Sequence, residues 1–195
     1  MKQKRINTLL AVAVIIVASA FTYSSRTSVN SHKEIDLCAN LTKIIESGKA
    51  GFTDVRGEKS SKKISGKDRP FDLCKVELSE EFKGYISMSA SYPTYEVFFA
   101  TDEWAKITEK LKSAYEEVNG KMKACLPESA WTIEEKDASN DSYLEGTDFK
   151  KTIFTEKVGN SAGKKIRMEL FMYRHGSENK RVVELKIEGF AAPTE

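Results

Sequence analysis

The sequence contains few histidines and few cysteines, and this scarcity limits the chemistry that it can support. There are two histidines and three cysteines, and no two cysteines stand at C-x-x-C spacing. Zinc sites and thioredoxin-type redox sites need such residues in close groups. The glycine signatures of nucleotide binding, G-x-G-x-x-G and the P-loop, are missing as well. We therefore expect no metal site, no cofactor and no nucleotide.

The chain also lacks an apolar run long enough to cross a membrane. The longest run, Leu9–Ala18, has ten residues, whereas a membrane-spanning helix needs about 20. The run follows the basic segment Met1–Arg5 and precedes Ala18-Ser19-Ala20, which matches the small-x-small cleavage pattern of signal peptides. We predict a signal peptide over residues 1–20 and a Ser/Thr-rich linker over residues 21–33. The protein is then exported, periplasmic or extracellular, with no stable membrane insertion after cleavage; the alternative is an uncleaved N-terminal anchor.

A strong excess of either charge is absent from the mature chain. The full sequence has 31 basic and 29 acidic residues, and the predicted signal peptide contains three of the basic ones and no acidic one. Nucleic-acid binding depends on a strongly positive surface that neutralises phosphates. The near-neutral mature chain therefore gives no indication of a nucleic-acid partner.

An odd number of cysteines leaves at least one thiol outside any internal disulfide. Exported proteins retain disulfides, and Cys38 and Cys125 both fall on the apolar faces of predicted helices. We take Cys38–Cys125 as the candidate disulfide and Cys74 as a buried thiol in a strand. Spacing alone does not exclude the other pairings.

Two segments have apolar residues at helical spacing. The first helix is predicted over residues 34–47, after an S-x-x-E capping box at residues 31–34. The second begins at Thr101, which is suited to cap a helix, and its apolar line continues to Cys125. Between the two helices, the polar segment 57–70 is predicted to be a solvated loop.

Elsewhere the apolar residues alternate with polar ones, as in strands that have one wet face. The alternating segments are residues 71–78 and 85–92 and, after the second helix, residues 150–157, 164–174 and 181–188. Short turns rich in Gly, Ser and Asn join the last three, which favours an antiparallel meander. We predict a single α+β domain over residues 34–190: a two-layer sandwich in which two amphipathic helices pack on one face of an antiparallel meander sheet.

The segment Gly159-Asn160-Ser161-Ala162-Gly163 matches G-x-S-x-G, the pattern around the nucleophile of many serine hydrolases. A nucleophile elbow must be followed by a helix, but the residues after Gly163 alternate with period two. We therefore interpret Ser161 as part of a hairpin turn, and we expect no catalytic residue and no enzymatic activity. A hydrolase that uses Ser161 or a pair of carboxylates is the alternative function.

The acidic segment 137–148 has oxygen-bearing side chains at its positions 1, 3, 5, 9 and 12, the spacing of a calcium-binding loop. Its sixth residue is Ser142, where that loop requires glycine, and its flanks are predicted strands instead of helices. A polar surface loop explains the composition. A calcium-stabilised structural module is the second alternative function.

Aromatic side chains are predicted on the sheet face that the helices do not cover. Alternation along the strands places Phe98, Phe171 and Tyr173 there, and Tyr85 and Phe154 are candidates to join them. Such residues commonly pack against their cross-strand neighbours, but a cluster on an open face also suits a binding patch. We predict these five residues as partner-binding candidates.

The order of helices and strands resembles that of small exported bacterial domains with a type III secretion chaperone-like layout. The residues that carry the resemblance run from Leu41 through the segment Phe52–Gly57 to Cys74 and Cys125-Leu126. The resemblance implies a non-catalytic domain that binds a protein or peptide through its sheet face or an edge strand. Fold and function are separable, so the resemblance assigns no catalytic residue.

Overall fold

The structure, a computed structural model, describes residues 35–64, 67–89, 92–103, 108–137, 150–175 and 180–190. The chain from Ile35 onward belongs to one compact unit. The predicted signal peptide and linker lie outside the described residues, as does the acidic segment beyond Asp137, which is predicted to be a polar surface loop.

The described part of the chain forms two successive units, each a helix followed by four strands. The first unit consists of α1 (Leu37–Lys49), β1 (Arg56–Ile64), β2 (Lys67–Cys74), β3 (Tyr85–Ser89) and β4 (Tyr92–Asp102). The second unit consists of α2 (Glu109–Cys125), β5 (Trp131–Asp137), β6 (Lys150–Glu156), β7 (Arg167–His175) and β8 (Lys180–Glu188). The repeated order gives the fold an internal pseudo-symmetry.

The eight described strands form one antiparallel sheet in the order β1-β2-β3-β4-β8-β7-β6-β5. The last strands of the two units, β4 and β8, pair at its centre. Val97 lies opposite Leu185, and Glu96 and Glu184 each come one residue before this central pair. An approximate two-fold axis therefore passes between Val97 and Leu185 and relates Glu96 to Glu184.

Both helices pack on the same face of the sheet, and the core lies between the two layers. Apolar side chains of the helices, such as Ile44 and Met122, join the inward-facing side chains of β4, β7 and β8 in one buried cluster. The Tyr115 hydroxyl of α2 and the Thr152 hydroxyl of β6 are hydrogen bonded, with 2.7 Å between their oxygens. The predicted two-layer α+β sandwich, with its antiparallel sheet and two helices, is confirmed.

The Cys38–Cys125 disulfide is also confirmed, and it joins the first turn of α1 to the last residue of α2. Cys74, at the end of β2, is a free and buried thiol, as predicted. Burial raises the pKa of Cys74 against the opposing effect of the Val76 amide. The thiol form is therefore favoured, and this cysteine is a poor nucleophile.

The starts of both helices differ from the sequence prediction. Asp36 caps α1 by accepting a hydrogen bond from the Ala39 amide at 3.0 Å, so the helix begins later than expected. Thr108, and not Thr101, caps α2. Thr101 is part of β4, where it pairs with β8, because a short capping pattern does not outweigh strand pairing.

The prediction of a solvated loop over residues 57–70 is wrong, because residues 57–64 belong to β1 and residues 67–70 are the first residues of β2. The side chains of this segment are mostly polar on both faces, so the segment lacks the alternation that predicts a strand. The prediction of one strand over residues 85–92 is also wrong. Residues 85–89 form β3, and Tyr92 is the first residue of β4, the strand that pairs with β3.

Candidate functional site

The sheet face opposite the helices carries a group of ionisable side chains across its central strands. Successive residues of a strand point to opposite faces, and the central apolar pair of β4 and β8 is buried against the helices. Glu96 and Glu184 therefore point to the other face. Tyr85 of β3 and Tyr173 of β7 flank them there. These four residues are called the carboxyl–tyrosine cluster below.

Glu96 has hydrogen-bond donors at both of its carboxylate oxygens. The Tyr85 hydroxyl donates to Glu96 Oε2 at 2.7 Å, and the Ser87 hydroxyl donates to Oε1 at 3.0 Å. Lys62 of β1 reaches the same group: its Nζ donates to the Tyr85 hydroxyl at 2.7 Å and lies 4.0 Å from the centroid of the tyrosine ring. Donors at both oxygens favour an ionised carboxylate.

Glu184 is fully buried, and only one of its oxygens has a hydrogen-bond donor among the described residues. The Tyr173 hydroxyl donates to Glu184 Oε2, and Lys186 Nζ lies 3.6 Å from the same oxygen. Within the part of the chain that the structure describes, Glu184 Oε1 has no donor. The residue is 0% exposed, so this oxygen carries the cost of an unsatisfied buried acceptor.

The two glutamates have opposite pKa shifts. Burial raises the pKa of Glu184 to about 7; Lys186 and the Tyr173 hydrogen bond oppose this shift, whereas Glu96 adds to it. Burial acts in the same direction on Glu96, but the Tyr85 hydrogen bond and nearby lysine charges outweigh it and lower the pKa of Glu96. Burial and the adjacent carboxyl groups raise both tyrosine pKa values. Between the ordinary carboxyl pKa of 4.5 and about 7, therefore, the two pKa shifts favour an ionised Glu96 beside a protonated Glu184.

A protonated carboxyl beside an ionised one is a pattern that general acid–base enzymes use. A general acid must come within hydrogen-bonding distance of the reacting group. Glu184, the residue with the raised pKa, is completely enclosed by protein. The geometry therefore favours a proton-holding role for the pair over proton transfer to a substrate.

Four of the five predicted aromatic residues lie on this face. Tyr85 is buried, whereas Phe98, Phe171 and Tyr173 are half-buried. The ring centroids of Phe171 and Tyr173 are 5.6 Å apart, and Lys151 Nζ lies 4.7 Å from the Phe171 centroid. The face is thus a mixture of aromatic and charged groups, with no continuous apolar surface among these residues.

Phe154 is the exception, and its prediction as a partner-binding residue is corrected. Its side chain is fully buried in the core between the sheet and the helices, where a partner does not reach it. It shares this inward face of β6 with Thr152, the hydrogen-bond partner of α2. The sequence is ambiguous here because Ile153 and Phe154 are adjacent and both apolar, so alternation does not assign the faces.

Ser161 lies in an exposed turn between β6 and β7. Asn160 Oδ1 accepts hydrogen bonds from the amides of Ala162 at 3.0 Å and Lys164 at 2.9 Å. Gly163 has a φ of 72°, a left-handed conformation that glycine adopts without strain. The chain then enters β7 and not a helix. The predicted hairpin turn is confirmed, and Ser161 has no helix N-terminus behind it.

The remaining candidate chemistry is metal binding. Most of the acidic segment 137–148, for which calcium binding is the alternative interpretation, lies outside the described residues. Within the part of the chain that the structure describes, no three His, Cys, Asp or Glu side chains come together as the ligands of a metal ion would. The helices of that part are all too short or too polar to cross a membrane.

Comparisons of the chain with protein-family models, with curated proteins and with solved structures find no match. The fold itself defines an architectural class: an α+β domain in which two units of one helix and four strands share an eight-stranded sheet. The function is inferred below from the site.

The two glutamates of the carboxyl–tyrosine cluster are not singled out by the sequence alone. Each stands at a position where strand alternation predicts a solvated side chain. A weak signal exists in β8, where Glu184 interrupts the apolar run Val182-Val183-Glu184-Leu185. A charged residue inside such a run indicates a buried charge that needs a partner, but the sequence does not identify the partner.

Proposed function

We propose that this protein is an exported, non-catalytic domain that binds a protein or peptide partner on the sheet face opposite the helices. The observation that carries the proposal is the composition of that face, where half-buried aromatic rings lie among charged groups and where Tyr92 is exposed at the start of β4. Protein interfaces are enriched in such aromatic side chains, which act as anchors within a polar surround.

Tyr92 extends this face beyond the carboxyl–tyrosine cluster. It precedes Thr94 and Glu96 on β4 at alternating positions, and its side chain is 48% exposed. Thr94 lies opposite Glu188 of β8, and Arg167 Nη1 of β7 lies 3.9 Å from Glu188 Oε1. A partner that covers this end of the face would bury an aromatic ring beside a pair of opposite charges.

The edge strand β1 supports binding less well than the face does. β1 pairs with β2 alone among the described strands, so one of its edges is open to strand addition. Its exposed residues are polar and include Lys59. Lysine on an edge strand is a common protection against pairing with another chain, so the face is the favoured binding surface.

Export is part of the proposal. It rests on the predicted signal peptide over residues 1–20, and the Cys38–Cys125 disulfide supports it because disulfides persist in oxidising compartments. The resemblance in layout to exported chaperone-like domains agrees with this location. The periplasm or the extracellular space is accordingly where the partner is expected.

Site-specific photo-crosslinking tests the proposed binding face. A photoreactive residue at position 92 samples this face, and one at position 88 samples the other face at the same end of the β3–β4 hairpin. Tyr92 and Met88 are 48% and 62% exposed, so both probes are accessible. With periplasmic extract or culture supernatant of the source organism, we expect a discrete adduct from position 92 and none from position 88. Equal adducts from both positions, or none from either, would contradict the proposal.

A fluorophosphonate label separates this proposal from the serine-hydrolase alternative. Ser161 lies in an exposed turn that leads into a strand and not into a helix whose N-terminus could activate its hydroxyl, and we expect no labelling of the wild type. Labelling that is abolished by Ser161→Ala, but retained by Ser113→Ala at an exposed position of α2, would overturn the non-catalytic assignment.

A further inference from the structure

The contact between Glu96 and Glu184 has a consequence that goes beyond partner binding and does not depend on it. The two residues are diagonal neighbours across β4 and β8, a relation that long side chains bridge. Glu96 is among the groups that raise the pKa of Glu184, so the two carboxyl groups lie within reach of each other. Two carboxyl groups hydrogen bond to each other only when one of them carries a proton.

The surrounding donors decide which carboxyl group holds that proton. Glu96 accepts one hydrogen bond at each oxygen, from Tyr85 and from Ser87, and these bonds favour its ionised form. Glu184 accepts from Tyr173 at Oε2, while its enclosed Oε1 has no donor among the described residues. If Glu184 Oε1 carries a proton and donates it in a hydrogen bond to Glu96, the buried oxygen is no longer without a hydrogen-bond partner.

The charged and titratable groups around the pair come from most of the neighbouring strands. Those among the described residues are Lys62 of β1, Tyr85 of β3, Tyr173 of β7 and Lys186 of β8. On β6, Lys151 is held by Glu169, with 2.7 Å between Nζ and Oε1. Lys186 favours ionisation of Glu184, but its side chain is 36% exposed and its charge is screened by water, whereas the carboxyl group is enclosed.

We propose that Glu96 and Glu184 form a one-proton binding site at the centre of the sheet, and that loss of this proton weakens the pairing of β4 with β8. With the proton bound, one hydrogen bond joins the two strands through their side chains. Without it, two negative charges face each other in an enclosed site, where their repulsion is stronger than in water. The raised pKa of Glu184, about 7, places the loss of the proton near neutral pH.

The direction of the pH effect follows from the two pKa shifts. Because the pKa of Glu184 is raised, its contribution to stability is complete below the ordinary value of 4.5 and is lost as the pH rises through about 7. The pKa of Glu96 is lowered, so its contribution to stability is complete above 4.5. That contribution is lost only as the pH falls below 4.5. Glu184 therefore sets the trend between these values.

Glu184→Gln tests the site, because the amide keeps the shape and a hydrogen-bond donor of the protonated carboxyl but does not titrate. The unfolding equilibrium constants of the wild type and the variant are compared by urea denaturation at a series of pH values and constant ionic strength. We expect the ratio of the wild-type constant to the variant constant to rise with pH by up to about tenfold per unit, as the release of one proton on unfolding requires. Glu134→Gln, at an exposed position of β5, is the control and is expected to keep the wild-type pH profile.

A ratio that stays constant as the pH passes from mildly acidic to mildly basic overturns the proposal. Should Glu184→Gln not fold, infrared spectroscopy of the wild type decides the question. A protonated-carboxyl stretching band in mildly acidic solution that disappears above neutral pH, and that Glu134→Gln retains, supports the one-proton site. The absence of such a band in mildly acidic solution overturns it.

Discussion

Replacement of both Cys38 and Cys125 with serine is expected to lower the free energy of unfolding by about 4–5 kcal/mol. The disulfide joins residues separated by 87 positions, and the chain entropy that a crosslink removes from the unfolded state grows with the length of the closed loop. For a domain of this size, the loss corresponds to a decrease in Tm of roughly 10–20 °C. Thermal and urea unfolding of the double variant and the wild type measure it.

Cys74→Ala is the matched control for this experiment, because Cys74 is the buried thiol that takes no part in the disulfide. A reducing agent should lower the Tm of the wild type and of Cys74→Ala and leave the Tm of the double variant unchanged. A wild-type Tm that does not respond to reduction would show that the disulfide contributes little to stability.

Phe154→Ala is expected to cost about 3–5 kcal/mol of unfolding free energy, the range for truncation of a large buried aromatic side chain. Phe154 is 0% exposed and lies opposite Met168 on β7, within the cluster that joins the sheet to the helices. Truncation of Phe154 leaves a cavity in the core. Because β6 is paired with a strand on each side, the backbone does not move enough to fill that cavity. Urea denaturation monitored by circular dichroism gives the change in free energy.

Phe171→Ala is the comparison for this prediction, since Phe171 is half-buried on the other face of the sheet. We expect a smaller loss, about 1–2 kcal/mol, because complete burial of such a side chain contributes about 1.5–3 kcal/mol. The order of the two losses is the essential result. If Phe171→Ala destabilised the protein more than Phe154→Ala, the assignment of the two faces of the sheet would be wrong.

The elements with strong periodicity were predictable from the sequence. The apolar line of α2 continues to Cys125, where the helix ends, and the strands predicted over residues 150–157, 164–174 and 181–188 correspond to β6, β7 and β8. The disulfide was predictable because both cysteines fall on apolar helix faces. In each case, one face of a single element is buried, and the period of its apolar residues records that burial.

The elements without such periodicity were not predictable. Most of β1 and the first residues of β2 lack alternating apolar residues, and they are paired through their backbones, which side-chain patterns do not record. The same limit explains Phe154: two adjacent apolar residues leave the choice of face open, and packing against the helices decides it.

The candidate site depends on contacts that are distant in the sequence. Glu96 and Glu184 meet because β4 and β8, the last strands of the two units, pair at the centre of the sheet. The order of the strands depends on how the strands of both units pack together beneath the two helices. No local sequence pattern specifies that order. Tyr85 and Tyr173 reach the glutamates only through this arrangement.

By itself, the sequence determined the α+β class, the common side on which the two helices pack and the turn at Ser161, and it indicated the disulfide without excluding the other pairings, because each depends on periodicity or spacing within one or two elements. Only the tertiary structure decided the strand order, the inward position of Phe154 and the meeting of the two glutamates. The physical reason is that side-chain periodicity is local, whereas the partner of a strand is selected by the burial of the whole sheet.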